Sequence, residues 1–147
     1  MQIDCAVFGT VDVPDELVFG MPGGLYGFED TDQFALITKE DDGVTLRWYQ
    51  STKSRMPCFV VFDPYELIIG FEPDIEKADL AALESSNAGE LDFLVLAVVP
   101  EDVSKTTVNL KSPVALNRKK QIARQVILQN DYPIKFPLAQ PELAQPE

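Results

Sequence analysis

Apolar and polar residues alternate with a period of two along most of the chain, a pattern typical of strands that bury one face. Residues 58–62 are instead continuously apolar, as central strands are, and residues 91–99 form another long apolar run that contains one charged residue, Asp92. The predicted strands are residues 3–7, 10–13, 34–37, 46–50, 58–62, 91–99, 108–111, 114–117 and 122–129. Turn residues separate these runs. We therefore expect an all-β fold of about nine strands, either a small β-barrel-like domain or a sandwich.

Two local signals refine this expectation. Asp42-Gly43 stands between two predicted strands and indicates a tight β-hairpin. One segment has the composition of a helix, because Asp74 can cap a run from Ile75 to Leu83 that is rich in alanine, leucine and glutamate. Gly89 follows the end of that run. We expect one short helix beside the strands.

The 147 residues suit one domain with a substantial core. We assign residues 1–138 to a β-barrel-like domain. Residues 139–147 repeat the unit Ala-Gln-Pro-Glu, so we predict a disordered C-terminal tail. No run approaches the roughly 18 apolar residues of a membrane span, and the N-terminus lacks the pattern of a signal peptide. We expect a cytoplasmic protein that does not contact membranes.

Charge is distributed in blocks. The chain carries a net charge of −12. Residues 1–42 sum to −9 and residues 63–102 to −10, whereas residues 43–62 sum to +3 and residues 103–138 to +6. Such asymmetry indicates separate acidic and basic surfaces, with a basic protein as the natural partner of the acidic one. The alternative is that the fold interleaves the blocks and the charges serve only solubility.

The sequence contains little catalytic chemistry. Histidine is absent, which removes the commonest general base and most zinc sites. The glycine-rich loop at residues 20–27 lacks the spacing of a phosphate-binding motif. Cys5 and Cys58 fall in apolar runs, as small buried side chains do, and suggest a reducing compartment. We expect no enzymatic activity, no cofactor and no metal. Two alternatives stay open: a small-molecule-binding or hydrolytic β-barrel using an acidic cleft, and RNA contact through the basic run.

The basic run comprises Arg118, Lys119, Lys120 and Arg124. More often such a run is a solvated turn between strands, and the strongly negative net charge argues against direct nucleic-acid binding.

Three stretches carry a family pattern. They are residues 19–28, residues 59–64 and residues 107–117, the last continuing to residue 128. The positions that match the motif are Gly24, Gly27, Phe28, Pro64, Asn109, Leu110, Pro113, Asn117 and Gln125. In order and spacing these stretches resemble the FliW family of bacterial flagellar assembly factors. Tyr26, Asp63 and Ala123 depart from the proline, asparagine and glycine that are common in the family at these positions.

The resemblance implies a small β-barrel-like protein without catalysis, monomeric alone, that has two protein partners. One is CsrA, a basic RNA-binding translational regulator, whose repression of flagellin mRNA the family antagonises allosterically. The other is flagellin, which competes for the same assembly factor.

Candidate contact residues follow from charge and from position at turns. We place the CsrA surface on the second acidic block, at Asp63, Glu66, Glu72, Asp74 and Glu76. The competing interpretation puts these acids on a solvated helix face. Phe28, Tyr65 and Phe71 are the aromatic candidates for flagellin, unless they close the ends of the barrel.

Overall fold

A computed structural model describes residues 1–138, which form eleven strands and two short helices. The strands are β1 (Gln2–Cys5), β2 (Gly9–Asp12), β3 (Val18–Gly20), β4 (Gln33–Asp41), β5 (Val44–Ser51), β6 (Cys58–Phe62), β7 (Asp92–Val98), β8 (Thr107–Val108), β9 (Val114–Asn117), β10 (Ile122–Gln125) and β11 (Phe136–Pro137). The helices are α1 (Pro64–Leu67) and α2 (Lys77–Ala82). The predicted disordered tail lies outside the described residues.

Seven strands close into a barrel. Their spatial order is β7, β6, β5, β4, β3, β10 and β9, and β9 pairs back onto β7. All these pairings are antiparallel except that of β3 with β10, in which Gly20 lies opposite Ile122. The predicted all-β barrel is confirmed, with two more strands and one more helix than expected.

The β4–β5 hairpin supplies the longest wall of the barrel. Asp42 and Gly43 have φ angles of 54° and 80°, as the predicted tight turn requires. The alternation along β4 separates two cores: Phe34 and Leu36 belong to the cluster inside the barrel, whereas Ala35 and Ile37 belong to a second cluster outside it. Both faces of β4 are therefore buried from Phe34 to Ile37, whereas Thr38 to Asp41 are exposed.

Additional elements cover the outside of the barrel. The β1–β2 hairpin packs Ile3 and Cys5 against the outer face of β4. Strands β8 and β11 extend the sheet from the end of β7. A third cluster joins the region of α2 to the C-terminal segment through Leu83 and Leu128.

Several predicted boundaries were wrong. Asp74 does not cap the helix; Glu76 occupies the N-cap position of α2, because Asp74 is held in an extended segment by residues 129–130. Helix α1 was not predicted. The strand predicted at residues 108–111 is shortened to β8, and the one at 122–129 ends at Gln125.

Candidate partner-binding surface

The predicted acids and two of the aromatic candidates all lie in the segment from Asp63 to Glu76. Oδ1 of Asp63 accepts a hydrogen bond of 2.9 Å from the backbone N–H of Tyr65, which caps α1. Pro64 occupies the first turn of that helix, where its missing N–H is harmless. The cap and the proline hold Tyr65 at the surface.

The second half of this segment is anchored to the C-terminal part of the chain. Asn130 Oδ1 accepts a hydrogen bond of 2.7 Å from the backbone N–H of Asp74, and Gln129 Nε2 donates one of 3.0 Å to Asp74 Oδ1. The Tyr132 hydroxyl accepts a hydrogen bond of 3.2 Å from the backbone N–H of Glu72. These contacts fix the backbone, so the side chains of Glu72 and Glu76 project from an ordered support into solvent.

Tyr65 and Phe71 pack against each other but differ in exposure. Their ring centroids lie 5.1 Å apart in an edge-to-face arrangement. Tyr65 is 49% exposed, whereas Phe71 is only 4% exposed and also stacks on Tyr132. The Tyr65 ring is therefore exposed to solvent, and the buried Phe71 ring packs against it from the protein interior. Burial raises the pKa of Tyr65, and the neighbouring carboxylates of Asp63 and Asp92 add to the shift.

Phe28, the third aromatic candidate, belongs to a different part of the surface. Its ring packs edge-to-face on Phe59 at 5.3 Å, and its side chain is 42% exposed. Among residues 1–138 no ring contact joins it to Tyr65 or Phe71. The structure thus brings two of the three aromatic candidates together and leaves the third apart.

The fold sorts the acids of the second block into paired and unpaired sets. Asp79, Glu84 and Asp92 form ion pairs with Arg124, Lys120 and Arg118, respectively. Within the described part of the chain, Asp63, Glu72, Asp74 and Glu76 form no ion pair, and Glu66 has only a long contact of 3.8 Å to Arg47. The C-terminal basic block therefore neutralises three acids between residues 79 and 92 and leaves the segment 63–76 negative.

These ion pairs bear on both interpretations of the charge pattern, separate acidic and basic surfaces or interleaved blocks. The blocks are partly interleaved, since three of the four residues in the predicted basic run face carboxylates. That arrangement pairs three of the four cationic side chains that RNA contact would use, and within residues 1–138 Lys119 alone of the four forms no ion pair. The unpaired acids could not be identified from the sequence, because the pairing joins residues from distant strands.

A small cavity lies at the mouth of the barrel next to Tyr65. Its volume is about 120 Å³, and Arg47, Asp63, Asp92 and Arg118 contribute to its lining. Ligand pockets usually measure roughly 300–1,000 Å³. Asp63 caps a helix and Asp92 is paired with Arg118, so both carboxylates have structural partners. The cavity gives little support to a small-molecule or hydrolytic role.

The residues of the family motif shape the backbone. Gly24 has a φ of 65°, and a Cβ there would overlap the carbonyl oxygen of Phe28. Gln125 joins the glycine-rich loop to the turn that precedes β9, because its Oε1 accepts a hydrogen bond of 3.0 Å from Tyr26 N–H and its Nε2 donates one of 3.1 Å to Ser112 O. Asn117 Nδ2 donates to the carbonyl of Leu83 at 2.7 Å.

The remaining motif positions also have structural roles. Asn109 Oδ1 accepts from Ser112 N–H at 2.9 Å, and Pro113 O accepts from Val126 N–H at 3.0 Å. Leu110 is fully buried, and Gly27 has a φ of 88°. These residues maintain the fold that presents the surface.

The cysteines are both free thiols. Cys5 is buried, as expected, whereas Cys58 is only half-buried. Burial raises the pKa of Cys58 to about 11, and the neighbouring Cys5 thiol contributes to the shift. Among residues 1–138 no group of three aspartate, glutamate or cysteine side chains could hold a metal ion, and no helix is long and apolar enough to cross a bilayer.

Comparison with known proteins identifies the family. The family model described as FliW protein matches residues 2–138. The flagellar assembly factor FliW of Thermoanaerobacter pseudethanolicus is 33% identical over 94% of this chain and 93% of its own length. That of Symbiobacterium thermophilum is 36% identical over 84% of this chain and 90% of its own. A crystal structure of the flagellar assembly factor FliW superposes with a TM-score of 0.81 at 24% identity, covering 95% of this chain and 98% of that one. The chain therefore belongs to the FliW family of flagellar assembly factors.

Proposed function

We propose that this assembly factor binds a basic, CsrA-type translational regulator and allosterically antagonises its repression of flagellin mRNA, with flagellin as the competing partner. The observation that carries the proposal is the set of unpaired acids on the segment 63–76 around the exposed ring of Tyr65. A negative surface steers a basic protein toward it and accelerates association.

The same surface offers a physical route to antagonism. Carboxylates held beside a bound regulator repel the phosphates of any RNA that the regulator carries, without occupying the RNA site itself. By linkage, the free energy that this protein removes from RNA binding equals the free energy that RNA removes from binding of this protein.

Tyr65 supports the competition between the two partners. It lies between Asp63 and Glu66 in the sequence, so an apolar contact and a charged contact share one helix of four residues. Two partners that use this helix would exclude each other, one recognising mainly the carboxylates and the other mainly the ring. Flagellin would then release the regulator by occupying the same place.

Charge reversal tests the surface for the regulator. Glu72→Lys combined with Glu76→Lys should slow association with CsrA about tenfold at low salt and flatten its dependence on salt. Asp30→Lys with Glu101→Lys is the matched control, because it makes the same change in net charge at two exposed acids elsewhere. Unchanged kinetics in the first variant at low salt would place the regulator on another surface.

Flagellin binding is tested by Tyr65→Ala, with Tyr26→Ala as the control at a tyrosine that is 60% exposed elsewhere. We expect flagellin affinity to fall in the first variant and to persist in the second. A three-way mixture of the protein, CsrA and flagellin, separated by gel filtration, then tests the exchange. A stable ternary complex would contradict the competition.

A further inference from the structure

Strand β4 has one edge that is only partly paired. Strand β5 pairs with it from Phe34 to Asp41, whereas β3 pairs with its other edge only from Gln33 to Ala35. No strand among residues 1–138 pairs with that second edge between Thr38 and Asp41. The barrel therefore has an open strand edge at its rim.

The hydrogen-bonding pattern shows which backbone groups face this edge. Met21 N–H donates to Asp32 O on the β3 side at 2.8 Å, and Thr52 N–H donates to Gln33 O on the β5 side at 3.2 Å. Consecutive residues of a strand direct their backbone groups to opposite edges. Thr38 and Glu40 therefore point their N–H and C=O groups toward the open edge.

An apolar groove runs beside this edge. It has a volume of about 380 Å³ and lies between the segment Val11–Leu17 and the part of β4 that ends at Lys39. Val11, Val13, Pro14 and Leu17 contribute side chains to one wall, and Leu36, Ile37, Thr38 and Lys39 form the other. Unpaired backbone groups beside an apolar channel are what an added strand requires.

The surroundings of the groove are acidic. Asp12 lines it, and Asp15, Glu16 and Glu40 are immediate chain neighbours of lining residues. The chain's α-ammonium group contacts Asp12 and Asp15 at 3.4 and 3.2 Å, whereas Glu16 and Glu40 form no ion pair within residues 1–138. Lys39 is turned toward Phe8, with its Nζ 5.0 Å from the ring centroid. Charge complementarity therefore favours a basic occupant.

We propose that the open edge of β4 and the adjoining groove bind an extended segment of a basic protein, which adds to the sheet as a further strand. Thr38 and Glu40 supply its backbone hydrogen bonds, the groove takes its apolar side chains, and the surrounding carboxylates meet its lysine or arginine residues. The charged residues along the edge disfavour self-association through this strand. This site is separate from the segment 63–76 and does not depend on the proposed function.

The probe is a fluorescein-labelled heptapeptide of alternating lysine and valine, titrated into the full chain and followed by fluorescence anisotropy at low and high salt. We expect binding that weakens as salt is added. A heptapeptide of alternating glutamate and valine is the matched control and should not bind. Equal binding of both peptides, or no binding of the basic one, would overturn the proposal.

Thr38→Pro removes the N–H that faces the open edge without removing a ladder hydrogen bond, and Thr38→Ala retains that N–H. The proline variant should bind the basic peptide at least about fivefold more weakly, and the alanine variant within about twofold of wild type. Equal affinity of the folded proline variant would overturn the proposal.

Amide hydrogen exchange of the wild-type protein gives a second readout that needs no variant. The amides of Thr38 and Glu40 should become protected when the basic peptide is bound, while the amides of residues 63–76 should not change. Protection confined to residues 63–76 would contradict the assignment of the site to β4.

Discussion

Arg124 Nε lies 2.8 Å from Asp79 Oδ1, which ties strand β10 to helix α2. The Asp79 side chain is only 14% exposed, so this ion pair is better shielded from solvent than the other pairs of the C-terminal basic block. We therefore expect the loss of this ion pair to destabilise the protein more than the loss of either of the other two.

We expect Asp79→Asn to lower the free energy of unfolding by about 1–2 kcal/mol, because it removes the charge from a side chain that is only 14% exposed and so weakens its hydrogen bond to the Arg124 guanidinium. Glu84→Gln is the control, since Glu84 and Lys120 are both more than half exposed and 3.6 Å apart. It should cost less than about 0.5 kcal/mol. Urea unfolding followed by circular dichroism measures both, and equal losses would contradict the difference in shielding.

Gly24 should tolerate no side chain. Gly24→Ala places a Cβ against the carbonyl oxygen of Phe28 and 2.9 Å from that of Thr31, at a φ of 65°, so the backbone itself must move. We expect a loss of about 3 kcal/mol or more in unfolding free energy.

Gly27→Ala separates the two contributions, because Gly27 has a φ of 88° but no atom lies within 4 Å of the place that a Cβ would take. That variant should lose only about 1–2 kcal/mol, the cost of a left-handed conformation. A thermal or urea denaturation series should rank the two in this order, and the reverse ranking would show that the close approach at Gly24 relaxes freely.

The Cys58 thiol should be slow to react at neutral pH. Its pKa of about 11 arises first from burial and then from the Cys5 thiol beside it. Because only the thiolate is nucleophilic, the rate of alkylation by iodoacetamide should rise about tenfold per pH unit from pH 8 to pH 10.

Cys5→Ser isolates Cys58 for this measurement and should also lower its pKa, since the neighbouring thiol is one of the causes of the shift. A rate that levels off near pH 8.5, the ordinary range of a thiol, would contradict the shift. The raised pKa also favours the folded state below the pKa of the unfolded thiol, and this contribution should disappear as the pH rises toward about 11.

Local patterns predicted the long elements of this fold well. The β4–β5 hairpin follows from Asp42-Gly43 between two predicted strands, and β6 and β9 have the predicted bounds. Asp74 was misassigned because a capping residue is a local signal, whereas its actual partners, Gln129 and Asn130, come from the far end of the domain. Helix α1 has only four residues, so it has too few positions for a periodic pattern.

The candidate surface was predictable only in outline. Block charges indicated that residues 63–102 were acidic, but the residues neutralised by strand β10 and its preceding turn depend on tertiary pairing. The open edge of β4 had no signal in the sequence, because it arises from the pairing of a nine-residue strand, β4, with a neighbour of three residues, β3.

The parallel pairing of Gly20 with Ile122 also bears on how the chain is made. These residues are roughly a hundred positions apart, so the ring of strands completes through contacts of very long sequence separation. The ribosome synthesises β3 well before β10. The edge of β3 that pairs with β10 therefore has no partner strand until β10 has been made. We therefore expect the barrel to close only after translation of the last strands, and the protein to fold in milliseconds to seconds rather than microseconds.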